Sequence, residues 1–252
     1  MSNVYVVGKR GSKAKADISN LTNVKIFKGQ KDVDAIVNHG LPKQHLDLLL
    51  KKYPFLARAA IINKTIAGSK YNAVRRAEDN GVLIPNTKLS LAKSDIVDEW
   101  IEKRIHSSQG KGIIKATGTV QRDGKYYQKF IKDRKYELRV HAFSWIPKGE
   151  WTVQKRTGPE EQIAWNFHQG GHFKSIHNTT VSTFTNAINI AEKILKINNM
   201  SFGAVDLIVD KDLKIYFIEI NSSPGFTNLS ASTYIKAMNA LVEKSKKELS
   251  LI

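Results

Sequence analysis

Two acids set inside apolar strand-like runs are the first sign of chemistry in this chain. Asp206 lies in Val205-Asp-Leu-Ile-Val209, and Glu219 lies in Phe217-Ile-Glu-Ile-Asn-Ser-Ser-Pro-Gly225. The turn Asp210-Lys-Asp-Leu213 between them predicts an antiparallel pair. Asn221 follows Glu219 by two residues, so the two side chains share one strand face. Two carboxylates and an amide converging from paired strands are hard oxygen donors, the set Mg²⁺ takes when it also holds phosphates. Acids at solvent-facing strand ends would have the same composition, but here each acid follows an apolar run, Gly-Ala-Val or Tyr-Phe-Ile. A buried acid needs a cation or a partner.

Basic and glycine-rich segments supply the complementary groups. Arg139, in Glu137-Leu-Arg-Val-His141, sits inside a strand pattern, where an Arg suits bidentate phosphate or carboxylate binding or faces water. Lys155 and Arg156 at a strand end carry the same two readings. Asn166-Phe-His-Gln-Gly-Gly171 is a loop whose backbone can approach a ligand, or a plain turn. Ser107-Ser-Gln-Gly-Lys-Gly112 is not a P-loop, because no Gly-Lys-Ser/Thr opens a helix; it reads as a hairpin loop or as a flap whose amides cover phosphates. His168 and His172 have i,i+4 spacing, but Gly170 and Gly171 between them argue against a ligand-bearing helix and a histidine metal site. There is no Gly-x-Ser-x-Gly elbow for a serine nucleophile.

Composition bounds the remaining choices. The 252 residues include no cysteine, which excludes disulfides, thiolate metal sites and a cysteine nucleophile. No apolar run approaches the roughly 20 residues of a spanning helix, and Met1–Lys15 lacks a signal-peptide core, so a cytoplasmic location is expected. Forty Lys and Arg against 23 Asp and Glu give a net charge of +17, which calls for an anionic ligand or partner. Residues 1–64 hold 12 basic and 4 acidic residues, with a cluster at Lys9, Arg10, Lys13 and Lys15.

The elements that must position these groups begin with an α/β unit. Asn3–Gly8, Val24–Phe27 and Ala35–Val37 read as strands, and residues 43–52 as a helix. Ser69 and Gly81 bracket a helix as N-cap and C′ residue. Asp95–Lys103 reads as a second, amphipathic helix. Strand-like runs follow at 110–115, 126–131, 137–145 and 151–156; then come a helix over Thr183–Ile197, strands at 201–209 and 214–220, and a helix over 231–248. Paired strands with flanking helices behind an α/β start argue for an α+β fold.

In this order the motifs resemble the ATP-grasp superfamily, and within it the RimK-like carboxylate–amine ligases, including small phage proteins. The likeness covers most of residues 60–228. Ser69-Lys70 with Gly81-Val-Leu-Ile-Pro85 looks like the start of the first subdomain, and Ser107–Gly112 like its phosphate loop. Tyr127-Gln-Lys-Phe-Ile131 looks like the adenine-contacting strand, and Glu137-Leu-Arg139 like the acid-x-Arg motif. Asn166–Gly171 is similar to the Asn-x-x-x-Gly-Gly segment of the glutamate-adding ligases. Phe202-Gly-Ala-Val-Asp206 and Glu219–Gly225 resemble the metal-binding strands. Two departures stand out: Arg104 occupies the region of the usual phosphate-binding Lys, and Lys129 stands where an acid commonly precedes the adenine-facing pair. The ribose acid is left between Glu137 and Asp133.

The resemblance implies an ATP-grasp fold of two α+β subdomains clasping ATP, residues 65–125 and 126–252, preceded by a short basic α/β domain over 1–64. It implies a ligase that forms an amide through an acyl phosphate and releases ADP and phosphate. Asp206, Glu219 and Asn221 would hold Mg²⁺, two ions with Mn²⁺ as a substitute. Lys70, Arg104, Gln128, Lys129, Phe130, Ile131, Glu137 and Lys155 would bind nucleotide, while Arg139, Arg156 and Asn166 would act on the carboxylate and its intermediate. The acceptor is open, with an acidic peptide or protein as one candidate. A nucleic-acid- or acidic-protein-binding protein on the same scaffold is the alternative that the net charge raises.

Overall fold

The computed structural model describes residues 3–64, 68–97, 99–106, 113–117, 123–159, 162–163, 165, 172–176, 182–225 and 227–249. Ser107–Gly112, Asn166–Gly171 and the histidines 168 and 177 lie outside the described residues.

Within residues 3–62 a parallel sheet forms from β1 (Val4–Gly8), β2 (Lys25–Ile26), β3 (Ala35–His39) and β4 (Ala60–Ile62), in the order β2-β1-β3-β4. Apolar β1 and β3 read as continuous hydrophobic runs because both faces are covered. Helix α1 (Lys13–Leu21) packs on β1 and β2, and α2 (Lys43–Lys52) leads to a 3₁₀ turn at Pro54–Arg58. Sequence periodicity does not single out α1, whose nine residues bury only Ala14 and Ile18.

Helix α3 (Lys70–Asp79) starts as expected: the Ser69 hydroxyl accepts from the Asn72 amide, and Gly81 has φ +69°. A second sheet contains β5 (Thr87–Lys88), β6 (Trp100–Arg104), β7 (Ile114–Lys115) and β8 (Lys125–Lys129), ordered β5-β8-β6-β7 and antiparallel. Here the expected helix over Asp95–Lys103 is corrected. Residues 93–97 form a 3₁₀ turn, and Trp100–Arg104 is a strand paired with Lys125–Lys129. Its residues alternate between two sheet faces, and the cross-strand partners override a weak helical period.

The third sheet is antiparallel, in the order β11-β10-β9-β12-β13: β9 (Arg134–Phe143), β10 (Thr152–Thr157), β11 (His172–Ile176), β12 (Phe202–Asp210) and β13 (Ile215–Asn221). One face buries Leu138, Val140, Val205, Leu207 and Phe217 beneath α4 (Ser182–Ile197). The other face is divided. Its His141 and Thr152 end lies under α5 (Asn228–Leu249), where His141 meets the Tyr234 hydroxyl at 3.2 Å. Its Arg139 and Asp206 end is open.

Between β12 and β13 the register jumps by one: Asp206 opposes Glu219 but Leu207 opposes Phe217, leaving Ile218 extra. Phe217 and Ile220, three apart, therefore both reach the core while Ile218 and Glu219 face the opening. The N-terminal sheet is latched to this one. Buried Asn63, at φ +56°, accepts from the Ser201 and Phe202 amides at 2.6 and 3.1 Å, and donates to the Phe202 carbonyl at 2.9 Å.

Candidate active site

Asp206, Glu219 and Asn221 line one cavity of about 730 Å³, as the register requires. Asp206 sits at its floor between two guanidiniums. Arg139 donates to both carboxylate oxygens, at 2.7 and 2.6 Å, and Arg156 adds a third, very short bond. These residues come from three neighbouring strands: Arg139 on β9 opposes Asp206 on β12, and Arg156 on β10 lies two residues from the partner of Arg139. Burial pushes the Asp206 carboxyl up, but Arg139 and Arg156 outweigh it and hold it well below the usual carboxylate range. The Arg139 guanidinium is destabilised by burial and restored by Asp206, so it stays charged.

At the β13 edge the arrangement is looser. Lys70, the first residue of α3, donates to Glu219 at 2.5 Å, with side chains 19% and 25% exposed. Asn221 accepts from the Ser223 amide at 2.9 Å. Glu137 accepts from Arg134 at 2.9 Å and pairs with Arg156 at 3.4 Å.

The second sheet supplies the opposite wall, through Gln128, Lys129, Phe130 and Ile131. Lys103 on β6 also faces the cavity and is 7% exposed, donating to the Gln128 side-chain oxygen at 2.5 Å. Gln128 is held in turn by its bond to the Thr87 hydroxyl at 3.2 Å. Burial lowers the Lys103 ammonium to about 8, with Glu219 opposing the shift.

Eleven expected site residues thus meet at one opening: Lys70, Gln128, Lys129, Phe130, Ile131, Glu137, Arg139, Arg156, Asp206, Glu219 and Asn221. Two do not, and strand alternation explains both. Arg104 is exposed on the far side of β6 from Lys103, opposite Lys125. Lys155 points to the α4 face of its sheet, 4.4 Å from the Tyr136 ring centroid. Asp133 is also away from the opening, 77% exposed beside Lys211 at 3.9 Å, which leaves Glu137 as the acid at the cavity. Asn166 lies outside the described residues.

Three contributors were missed in the sequence. Lys103 was hidden by the helical reading of its segment. Buried Arg134 stacks 3.7 Å from the Trp165 ring centroid and donates to the Gln162 and Ile163 carbonyls, forming the wall beside Phe130. No local pattern marks that pair. Lys9–Lys13, which the sequence marks only as a basic cluster, lines the same cavity.

No group of three or more His, Asp or Glu side chains among the described residues forms a ready metal cage. The donor set nevertheless fits a hard divalent cation that shares its shell with phosphates. Two carboxylates and an amide oxygen face one opening, and each carboxylate already holds a cationic side chain where positive charge is wanted.

Known proteins share this architecture. The sequence profile described as ATP-grasp domain matches residues 67–226. No curated protein matches the chain in sequence. Among solved structures, the macrocyclase MdnC from Microcystis aeruginosa MRC, bound with precursor peptide MdnA, aligns with TM-score 0.60 at 14% identity, covering 97% of this chain and all of that one. The D-alanine–D-alanine ligase of Bacillus anthracis with ATP aligns with TM-score 0.63 at 14% identity, over 98% and 99% of the two chains. The ATP-grasp ligase PsnB with a phosphomimetic variant of its minimal precursor, Mg and ADP gives 0.63 at 11%, over 99% of each. At these identities the likeness is one of fold.

Proposed function

The chain belongs to the ATP-grasp family, and from that premise we propose that it is a Mg-ATP-dependent carboxylate–amine ligase, working through an acyl phosphate. The observation that carries the reading is the Arg139–Asp206–Arg156 cluster facing Lys70, Glu219 and Lys103 across one opening. Phosphoryl transfer asks a protein mainly for positioning and for fixed charge around the moving oxygens, and this opening offers both.

ATP is the substrate that enters between the two antiparallel sheets. Phe130 and Ile131 give the base an apolar wall, with the Arg134–Trp165 stack beside it. Glu137 faces the same space as the acid for a ribose hydroxyl. Lys103 and Lys70 neutralise phosphate oxygens. Asp206, Glu219 and Asn221 would hold Mg²⁺, which would draw off charge from the phosphate groups.

A carboxylate oxygen of the donor attacks the γ-phosphorus, and the β–γ bridge bond breaks to release ADP. The amine lone pair then attacks the acyl carbon, the acyl C–O bond breaks, and phosphate leaves as the amine loses a proton. Arg139 and Arg156 hold the carboxylate and stabilise the oxyanion of the tetrahedral intermediate. No protein nucleophile enters these steps.

Hydroxylamine serves as a generic amine to test this. Incubation of the protein with MgATP, hydroxylamine and a panel of carboxylates, read by mass spectrometry, is expected to yield ADP and a hydroxamate together. AMP and pyrophosphate as the nucleotide products would overturn the reading.

A further inference from the structure

Part of the cavity lining comes from the N-terminal sheet. The order β2-β1-β3-β4 reverses direction between β1 and β3, and open α/β sheets bind ligands outside the carboxyl ends of strands at such a switch point. The loop after β1 is Lys9-Arg10-Gly11-Ser12, followed by Lys13 at the start of α1, and all five residues line the same cavity as Asp206.

The strand ends beside this loop are fixed against the segment that follows Asn221. After β3, the Gly40 backbone lies so close to Ser223 that a Cβ would come within 2.3 Å of the serine Cβ. His39 Nδ1 is 2.9 Å from the Ser223 hydroxyl, two residues beyond Asn221. A Cβ at Gly8 would come within 2.8 Å of the His39 carbonyl, so the ends of β1 and β3 are in tight contact.

The charge of the loop is not needed by the fold. Lys9, Arg10 and Lys13 form no ion pair among the described residues. Helix N-termini favour acids, yet α1 has none in its first turn and carries Lys13 there. The cavity as a whole is lined by nine basic side chains against three carboxylates, and those carboxylates are all paired at the chemical end. A triphosphate with one bound divalent cation keeps a charge of about −2, so it accounts for only part of this excess.

We propose that the Lys9–Lys13 loop binds a second carboxylate of the substrate, which makes the substrate an acidic peptide segment whose reacting carboxylate is delivered to Arg139 and Arg156. This rests on the ligase reading for the role of the chemical end. A carboxylate has to reach that end in any case, and a peptide can span a single cavity lengthwise. An acidic peptide is favoured over nucleic acid because Lys9, Arg10 and Lys13, though exposed, line the same cavity as Arg139 and Arg156.

The test uses the full chain and fluorescein-labelled hexaglutamate, with anisotropy read at about 50 mM salt without nucleotide, where such contacts are weakly screened. Lys9, Arg10 and Lys13 all changed to Gln should weaken peptide binding at least tenfold. Lys51, Lys193 and Lys236 changed to Gln, an equal charge change elsewhere, should leave it within twofold, and so should the loop variant's affinity for MgADP. Hexaglutamine should not bind. If the triple loop variant melts early, the single changes Lys9→Gln and Arg10→Gln decide the matter by the same criterion.

Equal peptide affinity in loop and control variants would overturn the proposal, as would loss of MgADP binding with the loop. Tighter, loop-dependent binding of an oligonucleotide of matched charge would assign the loop to nucleic acid instead. Intact MgADP binding and hydroxamate formation without peptide binding would leave the ligase reading standing and remove only this one.

Discussion

The centre of the five-stranded sheet and its β13 edge each present one carboxylate to the cavity, in different settings. Asp206, at the centre, is locked by two guanidiniums from β9 and β10. Glu219, at the edge, meets one ammonium among the described residues, that of Lys70 on α3, and its side chain is about a quarter exposed. Removing one member of a triply bonded charge cluster leaves the others uncompensated, whereas a part-buried pair with a single contact gives up less. The centre is therefore part of the scaffold as well as of the cavity. Under the proposed function the edge is where exchange would occur, with Lys70 passing from Glu219 to a phosphate without disturbing a strand.

The contrast can be broken most directly by Asp206→Asn. We expect a loss of about 3–5 kcal/mol of stability in chemical denaturation, together with loss of turnover. A variant as stable as the wild type would show that the guanidiniums do not depend on this carboxylate. Glu219→Gln is expected to lower turnover by about 100-fold while costing under about 1 kcal/mol of stability. If it destabilises as much as Asp206→Asn, the two settings are alike after all.

Lys103→Met should weaken MgADP binding by about tenfold or more, the usual worth of a charge-assisted hydrogen bond, while Arg104→Met stays within twofold by calorimetry. MgADP affinity should also fall as pH rises from 8 to 9. Binding uses the ammonium form, burial brings Lys103 down to about 8, and an unshifted lysine would remain charged to about 10.4. A flat profile would remove Lys103 from the phosphate contacts. The smallest effect belongs to Lys155→Ala, expected to cost about 0.5–1 kcal/mol through its lost contact with Tyr136 and to leave MgADP binding unchanged.

The strands bearing Asp206 and Glu219 were legible because an acid inside a β-branched run is costly to bury without a cation or a partner. The capped helix at Lys70 was legible because Ser69 and Gly81 act locally. Period-two alternation, once the strand is known, also separates Arg156 from Lys155. It failed at Lys103 because the segment around it was read with the wrong period, and only its pairing with β8 shows that period to be two. Arg134 and Trp165 were out of reach for another reason. They stack across 31 residues of sequence, and nothing local to either one encodes the contact.

The extra residue at Ile218 has a consequence for remodelling the chain. It divides the β12–β13 hairpin into a tip, Leu207 to Phe217, and a working half that begins at Asp206 and Glu219. The tip ends in an exposed turn at Lys211–Leu213, where Leu213 already adopts φ +65°. Residues grafted into that turn would lengthen the loop and leave the carboxylates facing each other. A single residue added or lost between Glu219 and Asn221 would turn the amide to the opposite side of the sheet. The same hairpin thus contains a permissive insertion site and, a few residues away, a stretch whose length cannot be edited.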